Sequence, residues 1–234
     1  MKSKLDYFKK KIYLRTSSPI EERLRVRACS KEPWTVEWIE QMPEGAVLYD
    51  VGANVGAYSL LAGKLGHRVV AFEPHPWNYA RLVENIALNE LGEMVTPFPL
   101  ALADRMGMQI LHLRNVASGS TASTTNRLSK EDSHLPVLGG TLDRFLEDYH
   151  GWLPCPTHVK IDVDGSEKLV LQGMLGLIEG GVSLMVEVAD DPQETFDMKA
   201  LLEGFGYDLR GRWDRRDETP PSVVWYGQWG KEAA

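Results

Sequence analysis

Only two cysteines, Cys29 and Cys155, occur in the 234 residues. They are too few and too far apart for a disulfide framework or a cysteine metal cluster. Long apolar runs are missing as well: none reaches the roughly 18 residues that a membrane-spanning helix needs. No apolar core follows the Lys-rich start, so nothing suggests export and a cytoplasmic protein is expected. Internal repeats and long low-complexity linkers are lacking. There is no surplus of positive charge either: the net charge is −7, which argues against a general nucleic-acid binder. The cations that exist crowd the start, where residues 1–31 hold ten Lys and Arg against three Asp and Glu. This basic arm reads as a solvated amphipathic segment. It could instead meet an anionic acceptor, a membrane or a partner subunit.

What is present suits one domain with a sizeable core, at 43% hydrophobic and 25% charged residues. Residues 1–43 form a basic, helical N-terminal extension, with short helices over 5–15 and 34–42. Trp34 and Trp38 fall one turn apart and point to packing; they could also serve a homodimer contact. From residue 44 strand and helix alternate: strand Ala46–Asp50, helix Gly56–Leu65, strand Arg68–Phe72, helix Asn78–Asn89 and strand Met94–Pro99. That order predicts an α/β fold with a parallel sheet, right-handed crossovers and helices on both faces. A hairpin and loop insertion interrupts it near 105–140, with a strand over Met108–Arg114 and a Ser/Thr-rich loop over Ala117–Thr125. Helix Thr141–Tyr149, strand His158–Ile161, helix Glu167–Leu177, strand Val182–Val188 and helix Glu194–Phe205 follow. Gly206–Arg212 and Ser222–Tyr226 suit a closing antiparallel pair, giving an antiparallel edge strand on a mostly parallel sheet.

The segment Asp50-Val51-Gly52-Ala53-Asn54-Val55-Gly56 joins the first core strand to its helix. Glycines there let the backbone approach a ligand, the helix offers free N–H groups, and the turn lies at the carboxyl end of the sheet. Glu73 ends the next strand about twenty residues on, where a carboxylate accepts from ribose hydroxyls. A dinucleotide is the competing ligand, but its G-x-G-x-x-G fingerprint wants a glycine where Asn54 stands. Asp50 opposes a diphosphate and suits the sulfonium of S-adenosylmethionine. The remaining reading is a turn whose glycines serve packing alone.

Leu48 through Gly56, Ala71-Phe72-Glu73-Pro74 and Lys160-Ile161-Asp162-Val163-Asp164-Gly165-Ser166-Glu167 together resemble the FkbM-type methyltransferases. Asn85 through Asn89, Ala101–Asp104 and Val170-Leu171-Gln172-Gly173 extend the resemblance over residues 44–205. Asp164 stands where the family more usually has Glu. The resemblance implies a Rossmann-like class I methyltransferase fold. Its cofactor is S-adenosylmethionine, its product S-adenosylhomocysteine, and the methyl goes to an oxygen of a sugar, glycolipid or secondary metabolite. It implies Asp50, Gly52, Asn54 and Gly56 around the methionine part, Glu73 beside Pro74 on the ribose, and Asp104 near the adenine.

Methyl transfer to an alcohol needs in-line positioning and a proton acceptor. Asp162 and Asp164, at the carboxyl end of the fourth strand, are the catalytic candidates. With Lys160 they alternate, and they share a face if the strand continues. They could divide the roles of base and orienter, or bind a divalent cation with Glu187 or Asp190; with no His or Cys cluster beside them, a metal is not expected. Glu167 reads as an early-helix carboxylate complementing the dipole, and His75 as a surface-loop histidine. The 117–125 loop is either a lid or a plain surface loop. Arg210, Arg212, Arg215 and Arg216 around Trp213 either hold an anionic acceptor or form a solvated face. Two other functions stay open: an RNA-modifying methyltransferase, which needs a basic acceptor face, and a non-catalytic module that binds S-adenosylmethionine.

Overall fold

The computed structural model describes residues 1–17, 22, 25–113, 123–124, 133–189, 192–214 and 224–231. The chain opens with a two-stranded antiparallel hairpin, β1 (Lys2–Lys4) and β2 (Tyr13–Arg15). The helix expected over 5–15 is therefore not formed. Ile12 and Leu14 are buried while Arg15 is exposed, an apolar alternation of period two that suits a strand. Two helices follow, α1 (Ala28–Lys31) and α2 (Pro33–Glu40), the second starting on a proline at its first position.

The core then runs β3 (Val47–Val51), α3 (Ala57–Leu65), β4 (Arg68–Phe72), α4 (Pro76–Leu88) and β5 (Val95–Phe98). Next come β6 (Ala101–Leu102), β7 (Gly107–Leu113), β8 (Ser123–Thr124) and β9 (Ser133–Gly140). The chain finishes with α5 (Leu142–Asp148), β10 (His158–Ile161), α6 (Glu167–Gln172), α7 (Leu175–Glu179), β11 (Ser183–Ala189), α8 (Pro192–Gly204), β12 (Asp208–Asp214) and β13 (Val224–Gly230). The seven-stranded sheet has the order β12-β13-β11-β10-β3-β4-β5. From β3 the chain first builds outward through β4 and β5, then returns to the other side of β3 with β10. The crevice for a ligand belongs at this switch point, at the carboxyl ends of β3 and β10.

Only β13 pairs antiparallel to β11 and β12; the other pairings in the sheet are parallel. The antiparallel strand is thus not the edge. It inserts between β11 and β12, and Trp229, at 0% exposure, locks it into the core. Alternate residues of each strand feed opposite faces. Leu48, Val69 and Ala71 pack under α3 and α4, whereas Tyr49, Val70 and Phe72 pack with residues of α5, α6 and α8. Helices cover both faces, as the near-continuous apolar strands require.

Two further differences have local causes. The single helix expected over 167–177 is broken into α6 and α7 because Gly173 lies against the chain after β6. A Cβ there would sit 2.0 Å from the Ala103 carbonyl oxygen. The insertion forms a four-stranded sheet of order β6-β9-β7-β8, with a small core of Ala101, Leu111, Leu113 and Val137. Residues 117–122 and 125 of the expected loop, together with Asp190, Arg215 and Arg216, lie outside the described residues. No helix among the described residues is long and apolar enough to cross a membrane.

Candidate active site

The turn after β3 is shaped by backbone that disfavours a side chain. Gly52 has φ +84°, and a Cβ on it would fall 1.9 Å from the Asp162 carbonyl oxygen. Gly56 has φ +91°, and a Cβ there would meet Leu82 at 2.5 Å. Both glycines therefore serve close packing of the chain on itself, and the turn can run directly over the end of β10. Asn54 adopts φ +52°, and its side chain accepts from the Val55 N–H at 2.9 Å.

Asp50 is 1% exposed and lies behind this turn. The Ser59 hydroxyl donates to its Oδ2 at 2.5 Å. On the other side stands Lys160, its register partner in the neighbouring strand, with Nζ 3.9 Å from Asp50 Oδ1. Lys160 donates to Asp162 Oδ2 at 2.9 Å and is itself 1% exposed. Burial works against the lysine's charge, yet Asp162 and Asp50 hold the ammonium above its ordinary range. Burial likewise opposes ionisation of Asp162, but the Lys160 charge keeps that carboxyl below the usual carboxylate range. Glu187, from β11, hydrogen-bonds to Asp162. Its own carboxyl is pushed well up by burial and then by the Asp162 charge.

Asp162 and Asp164 do not share a strand face. The strand stops at Ile161, and Asp164 turns into the left-handed region at φ +55° and is exposed. Glu167 is buried, and its Oε1 accepts from the Gly165 N–H at 3.0 Å and the Val163 N–H at 3.3 Å. It thus ties down the loop ahead of α6; burial pushes it up to about 7. Glu73 sits at the end of β4, 5% exposed, its Oε2 accepting from the Asn54 N–H at 2.7 Å and its Oε1 from the His75 N–H at 2.9 Å. Burial raises it to about 7 against those two donations. His75 is no surface residue: it is fully buried and caps α4, accepting from the Asn78 N–H.

Two cavities meet at Gly52. One is mostly apolar and lies among Phe72, Pro74, Leu102 and Val163. The other is the more polar of the two and lies between the Gly52–Val55 turn, Lys160 and Asp162 on one side and Arg25, Lys31 and Glu32 on the other. An adenosine joined to a charged amino-acid end has this two-part character. Asp104 lines neither cavity; it is exposed, 3.8 Å from Arg105. Asp50 and Glu73 also stay behind the cavity walls. Lys160, noted in the sequence only for its spacing, is the residue that sequence reasoning missed, and a lysine inside an apolar strand was the available signal. Among the described residues no three His, Cys, Asp or Glu side chains converge as a metal would require. Near the C-terminus, Trp213 stacks on Trp34 at 6.4 Å between ring centroids, and Arg210 donates to the Lys231 carbonyl.

Residues 50–209 match the methyltransferase FkbM domain, and the chain belongs to that family of S-adenosylmethionine-dependent methyltransferases. Among its relatives is the hexuronic acid methyltransferase AglP of Haloferax volcanii, 30% identical over 175 residues, or 74% of this chain and 69% of that protein. The methyltransferase sdnD of Sordaria araneosa is 26% identical over 209 residues, covering 75% and 80%. In fold the chain is similar to the precorrin-6y C5,15-methyltransferase of Geobacter metallireducens, with TM-score 0.53, 13% identity and 94% of both chains covered. It is similar also to the tRNA (uracil-54, C5)-methyltransferase of Pyrococcus abyssi, solved with S-adenosyl-L-homocysteine, with TM-score 0.54, 11% identity and 98% and 44% of the chains covered. The class I methyltransferase architecture is therefore established.

Proposed function

We propose that the protein transfers a methyl group to a hydroxyl oxygen of a sugar, glycolipid or related metabolite. The observation that carries this is Asp162, which lines the cavity beside the Gly52–Val55 turn and is bonded to Lys160, with the loop that follows it tied down by Glu167. Bound S-adenosylmethionine supplies the methyl and the positive sulfur that favours its transfer. The apolar cavity beside Pro74 and Val163 takes the adenine, and the turn Gly52–Val55 passes along the rest of the cofactor. Asp162, kept ionised by Lys160, orients the acceptor hydroxyl, and Asp164 accepts its proton. The remaining gain is positioning, worth roughly 7–11 kcal/mol where two reactants are held in attack geometry. The name of the Haloferax relative, a hexuronic acid methyltransferase, supports a sugar acceptor.

The test is methyl incorporation from labelled S-adenosylmethionine into separate pools of uronic acids, neutral oligosaccharides, hydroxylated metabolites and RNA. Label in a saccharide or metabolite that appears as a methyl ether supports the reading. Label in RNA alone, or on nitrogen or carbon, overturns it.

A further inference from the structure

The polar cavity has a wall that the family-matched residues do not supply. Arg25, Lys31 and Glu32 come from the segment ahead of the first core strand and lie before residue 50, where the match begins. Glu32 is 3% exposed; its Oε1 accepts from Lys31 Nζ at 3.0 Å, while its Oε2 is buried without a hydrogen-bond partner. The Tyr58 hydroxyl lies beside this carboxylate and donates to the Ala28 carbonyl at 3.0 Å. A buried carboxylate oxygen left unpaired is costly, and at a cavity wall it marks the place of a missing donor.

The wall is also held firmly. Asp6 accepts from the N–H groups of Cys29 and Ser30, at 3.0 and 2.8 Å, and so fixes the start of α1. The Tyr7 hydroxyl donates to Glu40 at 2.6 Å, and the Tyr58 bond to Ala28 ties α1 to α3. Opposite, Asp162 bonds with Lys160 and Glu187. A carboxylate oxygen short of a donor, flanked by a lysine and an arginine, complements a zwitterion: one ammonium and one carboxylate on the same carbon.

We propose, resting on the S-adenosylmethionine reading above, that the N-terminal segment forms the subsite for the cofactor's amino-acid end. Glu32 receives the α-ammonium, and Lys31 with Arg25 receives the α-carboxylate. The extension is then part of the cofactor site and not an accessory to it.

Calorimetry with two ligands tests this: S-adenosylhomocysteine, which carries the amino-acid end, and 5′-methylthioadenosine, which lacks it. For Glu32→Gln, affinity for S-adenosylhomocysteine should fall 10- to 100-fold while that for methylthioadenosine stays within about twofold, in line with a hydrogen bond between charged groups. Undiminished binding of S-adenosylhomocysteine overturns the proposal. So does an equal loss of both ligands in a variant that melts normally. Should Glu32→Gln not fold, the double variant Arg25→Ala/Lys31→Ala is read in the same way. Wild-type protein that binds neither ligand sinks the cofactor reading itself, whereas wild-type binding with no discrimination by the variants sinks the subsite alone.

Discussion

Lys160 and Asp50 stand opposite each other in adjacent parallel strands, Nζ 3.9 Å from Oδ1, and each is 1% exposed. With Asp162 on its other side, the lysine ammonium stands between two carboxylates. Lys160→Met removes the cation but keeps the volume, leaving the buried Asp50 and the half-buried Asp162 without compensation. The cost should be about 3–5 kcal/mol, read from urea unfolding at pH 7.5. Lys160 holds Asp162 below the usual carboxylate range, so this stabilisation exists above the unfolded pKa and fades as pH falls. The gap between wild type and variant should therefore hold down to about pH 4 and narrow only below it. A gap that is constant with pH would show that the loss is one of packing.

The glycines of the turn should differ sharply from a glycine elsewhere. Gly52→Ala pushes a Cβ into the Asp162 carbonyl and should cost more than about 3 kcal/mol, with loss of S-adenosylhomocysteine binding. Gly66 has φ +100° and open space around its Cβ position, so Gly66→Ala should cost only the strain of a left-handed residue, about 1–2 kcal/mol. Comparable thermal shifts for the two would refute the close approach at Gly52.

Much of this could be read from the sequence, because the informative signals were local. Arg68–Phe72 is bounded by Gly66 on one side and Glu73-Pro74 on the other, and both boundaries held. The partnership of Lys160 with Asp50 could not be read that way, since it depends on strand register between segments 110 residues apart. The same holds for Gly173: a glycine inside an apolar helical pattern gives no sign of the Ala103 carbonyl lying across it. The stretch 5–15 misled because its lysines suggested a helix surface, whereas its burial follows a strand's alternation. Asp162 and Asp164 looked alike on paper; the left-handed turn at Asp164 leaves it exposed while Asp162 is half-buried.

Asn85 joins three parts of the molecule. Its Nδ2 donates to the Val55 carbonyl at 2.8 Å, and its Oδ1 accepts from the Arg15 N–H at 2.7 Å. Asn85→Ala should destabilise the fold by about 1–3 kcal/mol and weaken cofactor binding, because the turn loses its anchor. Denaturant midpoints and calorimetry check the two halves of this statement separately. A loss of stability with undiminished affinity would mean that the turn is rigid without Asn85.

Glu167 predicts a pH dependence of opposite sense to that of Asp162. Its pKa rises from an ordinary 4.5 to about 7 in the folded protein through burial. Between those values the unfolded chain has lost a proton that the folded chain keeps, so stability falls as pH rises through that interval and levels off above it. Glu167→Gln keeps an acceptor for the Gly165 N–H but cannot ionise. Its loss of stability between pH 5 and pH 8 should be smaller than that of wild type by about 1–3 kcal/mol, as read by scanning calorimetry. Equal changes for the two proteins would place the titration elsewhere.

The hairpin β1–β2 leans on α4 through Asn89 as well as Asn85: the Tyr13 N–H donates to Asn89 Oδ1, and Asn89 Nδ2 donates to the Tyr13 carbonyl. Two asparagine side chains thus act as a neighbouring strand would. They lie 70 and 76 residues further along the chain than the backbone they hold. On the ribosome, then, β1 and β2 emerge without a docking site until α4 has been made. The basic charge they carry keeps them hydrated through that interval, so a hairpin made ahead of the core settles on it only once α4 is in place.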